Sequence, residues 1–528
     1  MVQDQAGGKD RREQQPAEPP RPHIDPVHAN PLSPGQANQQ TPMGRISVGP
    51  YGERRLTLRP RKGESVADQM GDMIEQMRGL GVDPWRVLQQ NVMLSPQGFD
   101  EASSVAAGKL RDFHQYSTSP TSYLTQPALD GRAAMELTVF DPQEGFSPVE
   151  VEKRSVVTER YGEVHYTVAE GLDEDGRPWK VLNSAGLHDP KAKGIRAQVR
   201  AAYGMAREIF RVEGMSWRDV DYVEHVVENI DGPNYKELNR TREVEYREDG
   251  RTSKFPSATG IGEEPVEVDS PDGMRTEDRG RFVMSLKASQ GESFVKVPLD
   301  NIVCQPPSHK YEAEFQFGET VRGRTGDVVG TPLQASGVGA KVPRPWFERG
   351  GAVFWRQVPP TPEGPVEYPL ETYYATPETA LEAQTIATYN SIAGLIGAEN
   401  LRLHGIGASA SLARLQQNIF YVKPGEEAER AAAISDALVS GVPNVNVSAD
   451  VCYAELLTEA RAVAQLPNGI LYISGTASIG RSPHKKSPIL HSPKEFTPGD
   501  RVDVTQLVRM FGVEELGKRG IQAMETKD

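Results

Sequence analysis

The 528-residue sequence has few of the features that define several large protein classes. It contains two cysteines, Cys304 and Cys452, which excludes a disulfide framework and a zinc site made of four thiolates. It has no apolar run of the roughly 18 residues that a membrane span needs, and no apolar signal-peptide core. Its ten histidines have no metal-ligand spacing, and no Walker loop or dinucleotide-binding turn follows a strand. We therefore expect a soluble, cytoplasmic protein with no metal and no cofactor.

Basic residues are also in deficit. The chain carries 59 Lys and Arg against 73 Asp and Glu, a formal net charge of −14. An acidic surface repels phosphate backbones, so we expect no nucleic-acid partner and disfavour ribonuclease activity. We also expect no membrane partner. The apolar share of 37% is low, and residues 1–47, rich in Pro, Gln, Gly and Asn, are predicted to form a disordered tail.

What the sequence does contain is a repeated order of short strands and amphipathic helices. Apolar residues at helical spacing predict helices at 65–80, 194–213 and 379–396, each followed by a strand. This alternation is typical of α/β (α+β) units in which helices pack on a sheet. The predicted segments are the tail, a divergent unit 1 at 48–145, unit 2 at 155–304, a linker or insertion at 305–350, unit 3 at 351–466, and a C-terminal strand, loop and helix at 467–528.

Unit 2 carries short motifs in a fixed order. The residues that define them are Ser184, Gly186, Asp189, Pro190, Gln198, Gly214 and Asn239. In the order and spacing of these residues, 183–246 resembles the reactive-intermediate deaminase (Rid) family, and units 1 and 3 look like more divergent relatives. The resemblance implies three tandem units that form an internal pseudo-trimer, with a small carboxylated ligand bound in a cleft between units. It leaves further self-association open.

Unit 3 contains Asp450-Val451-Cys452, a Leu-Leu-Thr-Glu stretch that ends at Glu459, and a small-residue stretch at 473–479. In these stretches it is similar to the C-terminal half of the chorismatases, a branch of the same fold that hydrolyses chorismate. The similarity implies that Glu459 occupies the position of the catalytic acid. The stretch at 473–479 follows Glu459, whereas the family places it before the helix. Either unit 3 is permuted, or a fourth partial unit begins there.

Glu459 is a candidate general acid, because burial in an apolar strand raises the pKa of a carboxyl. The alternative is a residue on the solvent face, since strands alternate faces. Cys452 and Glu459 are an odd number of residues apart, so a bulge or turn near 454–455 is needed to put both on one face. Glu136 in unit 1 is interpreted as structural. Cys452 is a ligand-binding candidate. A stretch of small residues is another, because its backbone and hydroxyls suit an anion, and the alternative is a tight turn. The stretch consists of Gly475, Thr476, Ala477 and Ser478.

The arginine that clamps the ligand carboxylate in Rid proteins is absent from all three units. At the equivalent positions this chain has Ser122, Ala258 and Val445. The candidate replacements are Arg356 and the group of Arg481, Lys485 and Lys486, although long cations usually stay solvated. Two functions remain: a small-molecule hydrolase or deaminase acting on an enamine, imine or chorismate-like carboxylate, and a non-catalytic ligand-binding or scaffold protein. Convergence of Glu459, Arg356 and the Gly475 stretch in one cleft would favour the enzyme.

Overall fold

The structure, a computed structural model, describes the chain in segments that all lie within one compact unit, Leu32–Asp528. None of the helices in these segments combines the length and apolarity that a membrane crossing requires. The described residues are 39–41, 44–48, 53–115, 119–140, 150–172, 176–248, 256–263, 281–291, 325–328, 333–336, 373–403, 409–452, 454–466, 469–477, 493–494, 496–497 and 499–525.

Three six-stranded sheets dominate the fold, and the first is built from the N-terminal part of the described chain. Sheet 1 has the strand order β1-β2-β3-β6-β4-β5. Its strands are β1 (Gln39–Thr41), β2 (Gly44–Val48), β3 (Glu53–Leu58), β4 (Val87–Met93), β5 (Thr121–Leu124) and β6 (Ala134–Phe140), and its helices are α1 (Val66–Gly79) and α2 (Phe99–His114).

Sheet 2 repeats this pattern with longer strands. A single π-helical turn, Ile230–Asn234, leads into its second helix. Its strands are β7 (Glu150–Thr158), β8 (Gly162–Leu172), β9 (Pro178–Leu187), β10 (Val220–Glu228), β11 (Ser257–Glu263) and β12 (Phe282–Gly291), and its helices are α3 (Ile195–Glu213) and α4 (Tyr235–Glu248). The strand order is β11-β10-β12-β9-β8-β7.

Sheet 3 and a small three-stranded sheet complete the fold. The strands from here on are β13 (Thr325–Val328), β14 (Leu333–Ser336), β15 (Tyr373–Ala375), β16 (Leu415–Val422), β17 (Asn444–Ser448), β18 (Thr458–Leu466), β19 (Gly469–Ala477), β20 (Val502–Asp503) and β21 (Met524–Glu525). Sheet 3 has the order β13-β14-β19-β18-β16-β17, and the small sheet has the order β20-β15-β21. The helices are α5 (Ala380–Ile396), α6 (Ala398–Leu403), α7 (Ala428–Leu438), α8 (Thr505–Phe511) and α9 (Val513–Lys518).

Local signals explain where the three predicted helices begin and end. The Ser65 hydroxyl accepts a hydrogen bond from the backbone N–H of Asp68 and caps α1, and Thr379 caps α5 in the same way. Gly214 ends α3 in the left-handed conformation, at φ 66°. The predicted helices at 65–80, 194–213 and 379–396 are therefore confirmed within one residue at each end.

The sheets have two distinct faces. One face of each sheet packs against its own helices and forms a separate apolar core. A fourth apolar cluster combines residues from all three sheets, so the opposite faces share one interior. That shared cluster includes Met93, Leu124, Val226, Ile261, Ile419 and Tyr421.

Each sheet contacts both others through hydrogen bonds that main-chain N–H groups donate. Sheets 2 and 3 meet where the N–H of Gly262 donates to the Asp450 carbonyl over 2.8 Å. Sheets 1 and 3 meet where the N–H of Ser448 donates to the Pro127 carbonyl over 2.9 Å. Between sheets 1 and 2, the Gly186 N–H donates to the Ser122 hydroxyl over 2.9 Å. The polar edges of the sheets are thereby covered by one another.

Several segments differ from the sequence-based prediction. β1 and part of β2 lie within the predicted tail, β13 and β14 lie within the predicted linker, and these strands join sheets 1 and 3. They have only three to five residues each, so they carry little periodic signal. The strand predicted in the C-terminal segment corresponds to β19, which joins sheet 3. The predicted C-terminal helix is divided into α8 and α9, because Gly512 has φ 80°.

The position of β19 bears on the order of motifs in unit 3. β19 lies beside β18, as β9 lies beside β12 and β3 beside β6. β3 and β9 precede the helices of their sheets, whereas β19 follows those of sheet 3. Of the two arrangements that the sequence left open, this strand order matches a permuted unit.

Candidate functional site

Glu459 lies on the inner face of sheet 3. It sits opposite Tyr421 of β16, and directly opposed residues on antiparallel strands share a face. Tyr421 belongs to the apolar cluster shared by the three sheets, so Glu459 faces the same interior. The residue is 4% exposed, and within the described segments no cation pairs with it. Burial raises its pKa to about 8, so this carboxyl keeps its proton at neutral pH.

Two further polar side chains lie beside this carboxyl. Cys452 precedes a turn at 454–455, so it is not part of strand β18, and the odd spacing to Glu459 places no limit on its direction. Burial, followed by the Glu459 carboxylate, raises the pKa of its thiol. Tyr235 is the first residue of α4, a helix of sheet 2. Its hydroxyl hydrogen-bonds to the Cys452 thiol, and this bond lowers the thiol pKa against the effect of burial. Glu459, Cys452 and Tyr235 are named the Glu459 group here, and they join sheets 2 and 3.

A lysine and an aspartate flank the Glu459 group. Lys423 follows β16, and its N–H donates to the Leu457 carbonyl over 2.9 Å. Its Nζ lies 3.6 Å from Asp450 Oδ1, and their side chains are 17% and 32% exposed. The lysine also lowers the pKa of the Cys452 thiol. Glu459 itself is therefore buried, whereas the flanking Lys423 places a partly exposed cation next to the Glu459 group.

A glycine allows sheet 2 to approach this group closely. A Cβ at Gly262 would lie 2.4 Å from Asp450 Cβ and 2.7 Å from Ile230 Cγ2. Real Cβ atoms do not tolerate such contacts, so any larger residue would push β11 away. The close approach lets Ile261 pair with Val451, immediately before Cys452. Gly262 therefore helps to bring Tyr235 and Cys452 together.

The structure brings some of the sequence-predicted candidates together. In strand β19, Ala477 lies opposite Glu459 and Thr476 lies opposite Ala460, so the backbone of the small-residue stretch, with Gly475, runs beside the acid. The described residues do not include Ser478, Arg356, Arg481, Lys485 and Lys486. The convergence of Glu459 with the Gly475 stretch is thus present in the backbone, and the part of that prediction that concerns Arg356 stays a prediction.

The three positions that lack the Rid arginine fall on equivalent strands. Ser122, Ala258 and Val445 lie in β5, β11 and β17, each at the edge of its sheet. At one of these edges, the Ser122 hydroxyl is 2.9 Å from the Ser285 hydroxyl. Lys423 is a cation that the structure places near Cys452, and the sequence analysis missed it, because the residue that it faces, Asp450, is 27 positions away.

A second polar group in the shared interior was also missed. Arg461 Nη2 lies 2.6 Å from Glu136 Oε2, and Arg461 Nε lies 3.3 Å from Glu224 Oε1. The Tyr421 hydroxyl donates to Glu224 over 3.1 Å, and the Asn91 amide donates to the same carboxylate over 3.3 Å. We call these five residues the Arg461 network. Since Glu136 is one of its members, the structural interpretation of that residue is consistent with the contacts.

No family model matches the chain, and no curated protein matches it. Among solved structures, a chorismatase is similar to it with a TM-score of 0.43 and 16% identity, over 79% of this chain and 99% of that one. An uncharacterized protein from Pseudomonas aeruginosa gives a TM-score of 0.16 and 16% identity, over 27% and 99%. A cyanuric acid hydrolase gives a TM-score of 0.23 and 11% identity, over 46% and 68%. These similarities assign no activity, so the function is argued from the residues of the Glu459 group.

Proposed function

We propose that the chain is a hydrolase of the Rid and chorismatase type that acts on a small carboxylated metabolite at the Glu459 group. The observation that carries the proposal is the buried carboxyl of Glu459, which forms no ion pair in the described segments and whose pKa is raised by burial to about 8. Such a group is suited to general acid catalysis, because it supplies a proton at the pH at which the enzyme works. In a purely structural role, a buried carboxyl would be expected to have a partner.

The reaction proceeds in steps that use this proton. Enamines and chorismate-like enol ethers both contain a carbon–carbon double bond next to a heteroatom. Glu459 donates its proton to the distal carbon of that bond, and the positive charge that develops at the other carbon is stabilised by the new carboxylate. A water molecule adds to the charged carbon and returns a proton to Glu459. The adduct then collapses to a carbonyl product and an amine or alcohol.

Lys423 takes the role of the missing arginine. Its ammonium is partly exposed beside the Glu459 group and is 3.6 Å from Asp450. A substrate carboxylate would compete with Asp450 for this cation, and a charge-assisted hydrogen bond would hold the substrate in place. Lysine offers a point charge in place of the planar fork of arginine, so the orientation of the substrate depends more on Tyr235 and Cys452.

The proposal includes an internal pseudo-trimer. Three sheets with related strand orders each contact both of the others, and their inner faces share one apolar cluster. We propose that three non-equivalent clefts lie between the units, with the acid in the cleft between sheets 2 and 3, and that the other two clefts are structural.

The test is turnover of a panel of enamines, imines and chorismate-like enol ethers by the full chain, followed through the carbonyl product. The Glu459→Gln variant should lower kcat by about 10² to 10⁴-fold while still binding the substrate. The Lys423→Met variant should mainly raise KM. Glu426→Gln changes an exposed carboxyl and serves as the control. Unchanged turnover in Glu459→Gln would refute the proposal.

A non-catalytic ligand-binding protein is the second candidate. It is favoured by the absence of arginine at Ser122, Ala258 and Val445. Wild-type protein that binds carboxylates in a titration but converts none of the panel would support this candidate over the hydrolase.

A further inference from the structure

A groove runs along the exposed side of helix α3, apart from the Glu459 group. Its volume is about 460 Å³, which is in the range of pockets that hold small-molecule ligands. Ala197 and Ala201 of α3 line this groove, and their small side chains leave space for a ligand. Five cationic residues line it as well. They are Arg160, Lys191, Lys193, Arg196 and Arg200.

Acidic residues do not balance this positive charge. Among the described residues that line the groove, Asp189 alone is acidic. Helix α4 adds Glu237, which pairs with Arg196, and Glu245, which lies 3.6 Å from Arg200. Within the described segments, five cations of the groove therefore meet three carboxylates, in a chain whose net charge is −14. The groove is opposite in charge to the molecule as a whole.

Three of the cations have no carboxylate of their own. Arg160, Lys191 and Lys193 form no ion pair with any residue in the described part of the chain. A single cation at a protein surface is ordinarily solvated and indicates no ligand. Here three of them, from two separate segments, line one groove, and a bound anion relieves the repulsion between like charges.

The turn between β7 and β8 carries Arg160 and forms one wall of the groove. The backbone N–H of Tyr161 donates to the Thr158 hydroxyl over 2.8 Å and closes this turn. The Tyr161 hydroxyl packs against α3 at Gly204, where a Cβ would collide with it. The Cζ of Arg160 lies 5.2 Å from the centre of the Tyr161 ring. The turn that carries this cation is therefore fixed to α3.

The turn that precedes α3 carries both lysines and forms a second wall. The Asp189 carboxylate accepts a hydrogen bond from the Lys191 N–H over 2.9 Å. Gln198 of α3 donates to the Ala192 carbonyl over 3.2 Å and accepts from the N–H of Phe282 over 2.8 Å. These bonds fix the turn to α3 and to sheet 2. The backbone of the groove is therefore formed before a ligand arrives, which lowers the entropic cost of binding.

The start of α3 adds backbone donors to this surface. Its N-cap residue, Gly194, provides no side-chain acceptor, and the first turn contains no acidic residue. The first N–H groups of a helix have no acceptor within the helix, and they favour negative charge. Beside a groove that is already cationic, these groups further favour an anion.

We propose that this groove binds a small molecule that bears phosphate groups, with Arg160, Lys191 and Lys193 as its cationic contacts. A phosphate monoester carries close to two negative charges at neutral pH and presents three acceptor oxygens, whereas a carboxylate carries one charge. Phosphate therefore matches a groove with three available cations better. A long polyanion such as RNA would also meet the acidic surface outside the groove, which repels it. The groove shares no residue with the Glu459 group, so this site is separate from the proposed substrate site.

The first test is calorimetric titration of the full chain with sodium pyrophosphate at constant ionic strength. Wild type should bind it at a saturable site. Lys191→Met combined with Lys193→Met should weaken binding about tenfold or more, because the loss of even one charge-assisted hydrogen bond typically costs this much. Lys109→Met combined with Lys494→Met removes the same charge at two exposed positions outside the groove and should leave binding unchanged. The absence of saturable binding, or equal weakening in the two double variants, would overturn the proposal.

A second pair of variants tests the shape of the site at constant charge. Ala197→Phe places a large side chain in the groove and should abolish pyrophosphate binding. Ala107→Phe makes the same change at a partly exposed position of α2 and should retain it. If binding survives in Ala197→Phe, pyrophosphate is attracted by surface charge alone and the groove is not its site.

Lysine acetylation of the wild-type protein keeps the test independent of any effect of substitution on folding. Pyrophosphate should slow the acetylation of Lys191 and Lys193 several-fold, as followed by peptide mass spectrometry, because a bound phosphate covers both amines. Lys109 and Lys494 should react at the same rate with and without it. Unprotected Lys191 and Lys193 at saturating pyrophosphate would contradict the proposal.

Discussion

Glu459 and Arg461 are two residues apart on the inner face of one strand, and their surroundings are opposite. Both residues are less than a tenth exposed. Arg461 has two carboxylates within 3.3 Å, whereas Glu459 has no cation partner in the described segments. The same desolvation therefore accompanies an ion-paired arginine at one position and a carboxyl with a raised pKa at the other. The comparison shows that the available partners, more than depth, decide what a buried charge does.

The two positions are expected to serve different purposes. The Arg461 network joins Glu136 of sheet 1, Glu224 of sheet 2 and Arg461 of sheet 3, so it holds the shared interior together. The Glu459 group is less strongly constrained, and it borders the partly exposed Lys423. Stability should depend mainly on the first and chemistry on the second.

Removing the charge of Arg461 should have the largest effect on stability. Arg461→Met leaves two carboxylates buried without their cation, and such a change typically costs about 3 to 5 kcal/mol. Denaturant unfolding measures this loss. The control is Arg509→Met, which breaks a half-exposed pair with Glu399 and should cost about 0 to 1 kcal/mol. Similar losses in the two variants would show that the network does not hold the sheets together.

The pH dependence of stability should distinguish Glu459 from the network. Its pKa is about 8 in the folded chain against an ordinary value of 4.5, so folding retains a proton that the unfolded chain releases between these values. This contribution is complete below about pH 4.5 and is lost as the pH rises through about 8. Between about pH 5 and pH 8, wild type should lose about 3 kcal/mol relative to Glu459→Gln.

The measurement is denaturant unfolding of both proteins across this range. The glutamine variant has no proton to release at this position, so groups elsewhere in the chain affect both curves equally. Parallel curves would mean that Glu459 is not a neutral acid in the folded protein.

Replacing Gly262 by a larger residue should disturb the Glu459 group and leave the Arg461 network unchanged. Gly262→Ala introduces a Cβ 2.4 Å from Asp450 Cβ, and overpacking of this kind costs about 1 to 3 kcal/mol. Turnover should fall as well, because Tyr235 and Cys452 are held by the same contact. Gly71→Ala, in helix α1 with nothing within 4 Å of the new atom, should stabilise the fold by about 0.5 to 1 kcal/mol. Equal effects of the two substitutions would refute the close approach.

The smallest expected effect concerns the reactivity of Cys452. Burial and the Glu459 carboxylate raise the pKa of the thiol, so alkylation in a Cys304→Ser background should be about tenfold slower in native than in unfolded protein. Above pH 8, where Glu459 is ionised, Glu459→Gln should make native labelling a few-fold faster. Rates in denaturant should be equal for both proteins. Fast native labelling would contradict a buried thiol next to a carboxylate.

The helices could be predicted to different degrees. Helix α1 has both a serine cap and a regular apolar face, and the prediction at 65–80 is confirmed. Helix α2 was not predicted, for two reasons. Its N-cap residue, Gly98, has no side chain to cap the helix, and two of its buried apolar positions, Ala102 and Ala106, are small. Local periodicity reports a helix only when its buried residues are large enough to contrast with their neighbours.

The site could be predicted only in part. Glu459 was found from its place in an apolar strand and from the family resemblance. Arg461, Glu136 and Glu224 each interrupt an apolar strand as well, which is the signal that was available for them. That signal does not identify partners, because Arg461 and Glu136 are 325 positions apart.

The sequence by itself determined the class of fold and helices such as those at 65–80, 194–213 and 379–396, since apolar spacing and capping act over a few neighbouring residues. It also singled out Glu459. Only the tertiary structure decided that Glu459 lies beside Tyr235 and Cys452 without a cation, and that Arg461 meets carboxylates from two other sheets. The reason is physical: the state of a buried charge depends on groups within a few ångströms in space, and these come from distant parts of the chain.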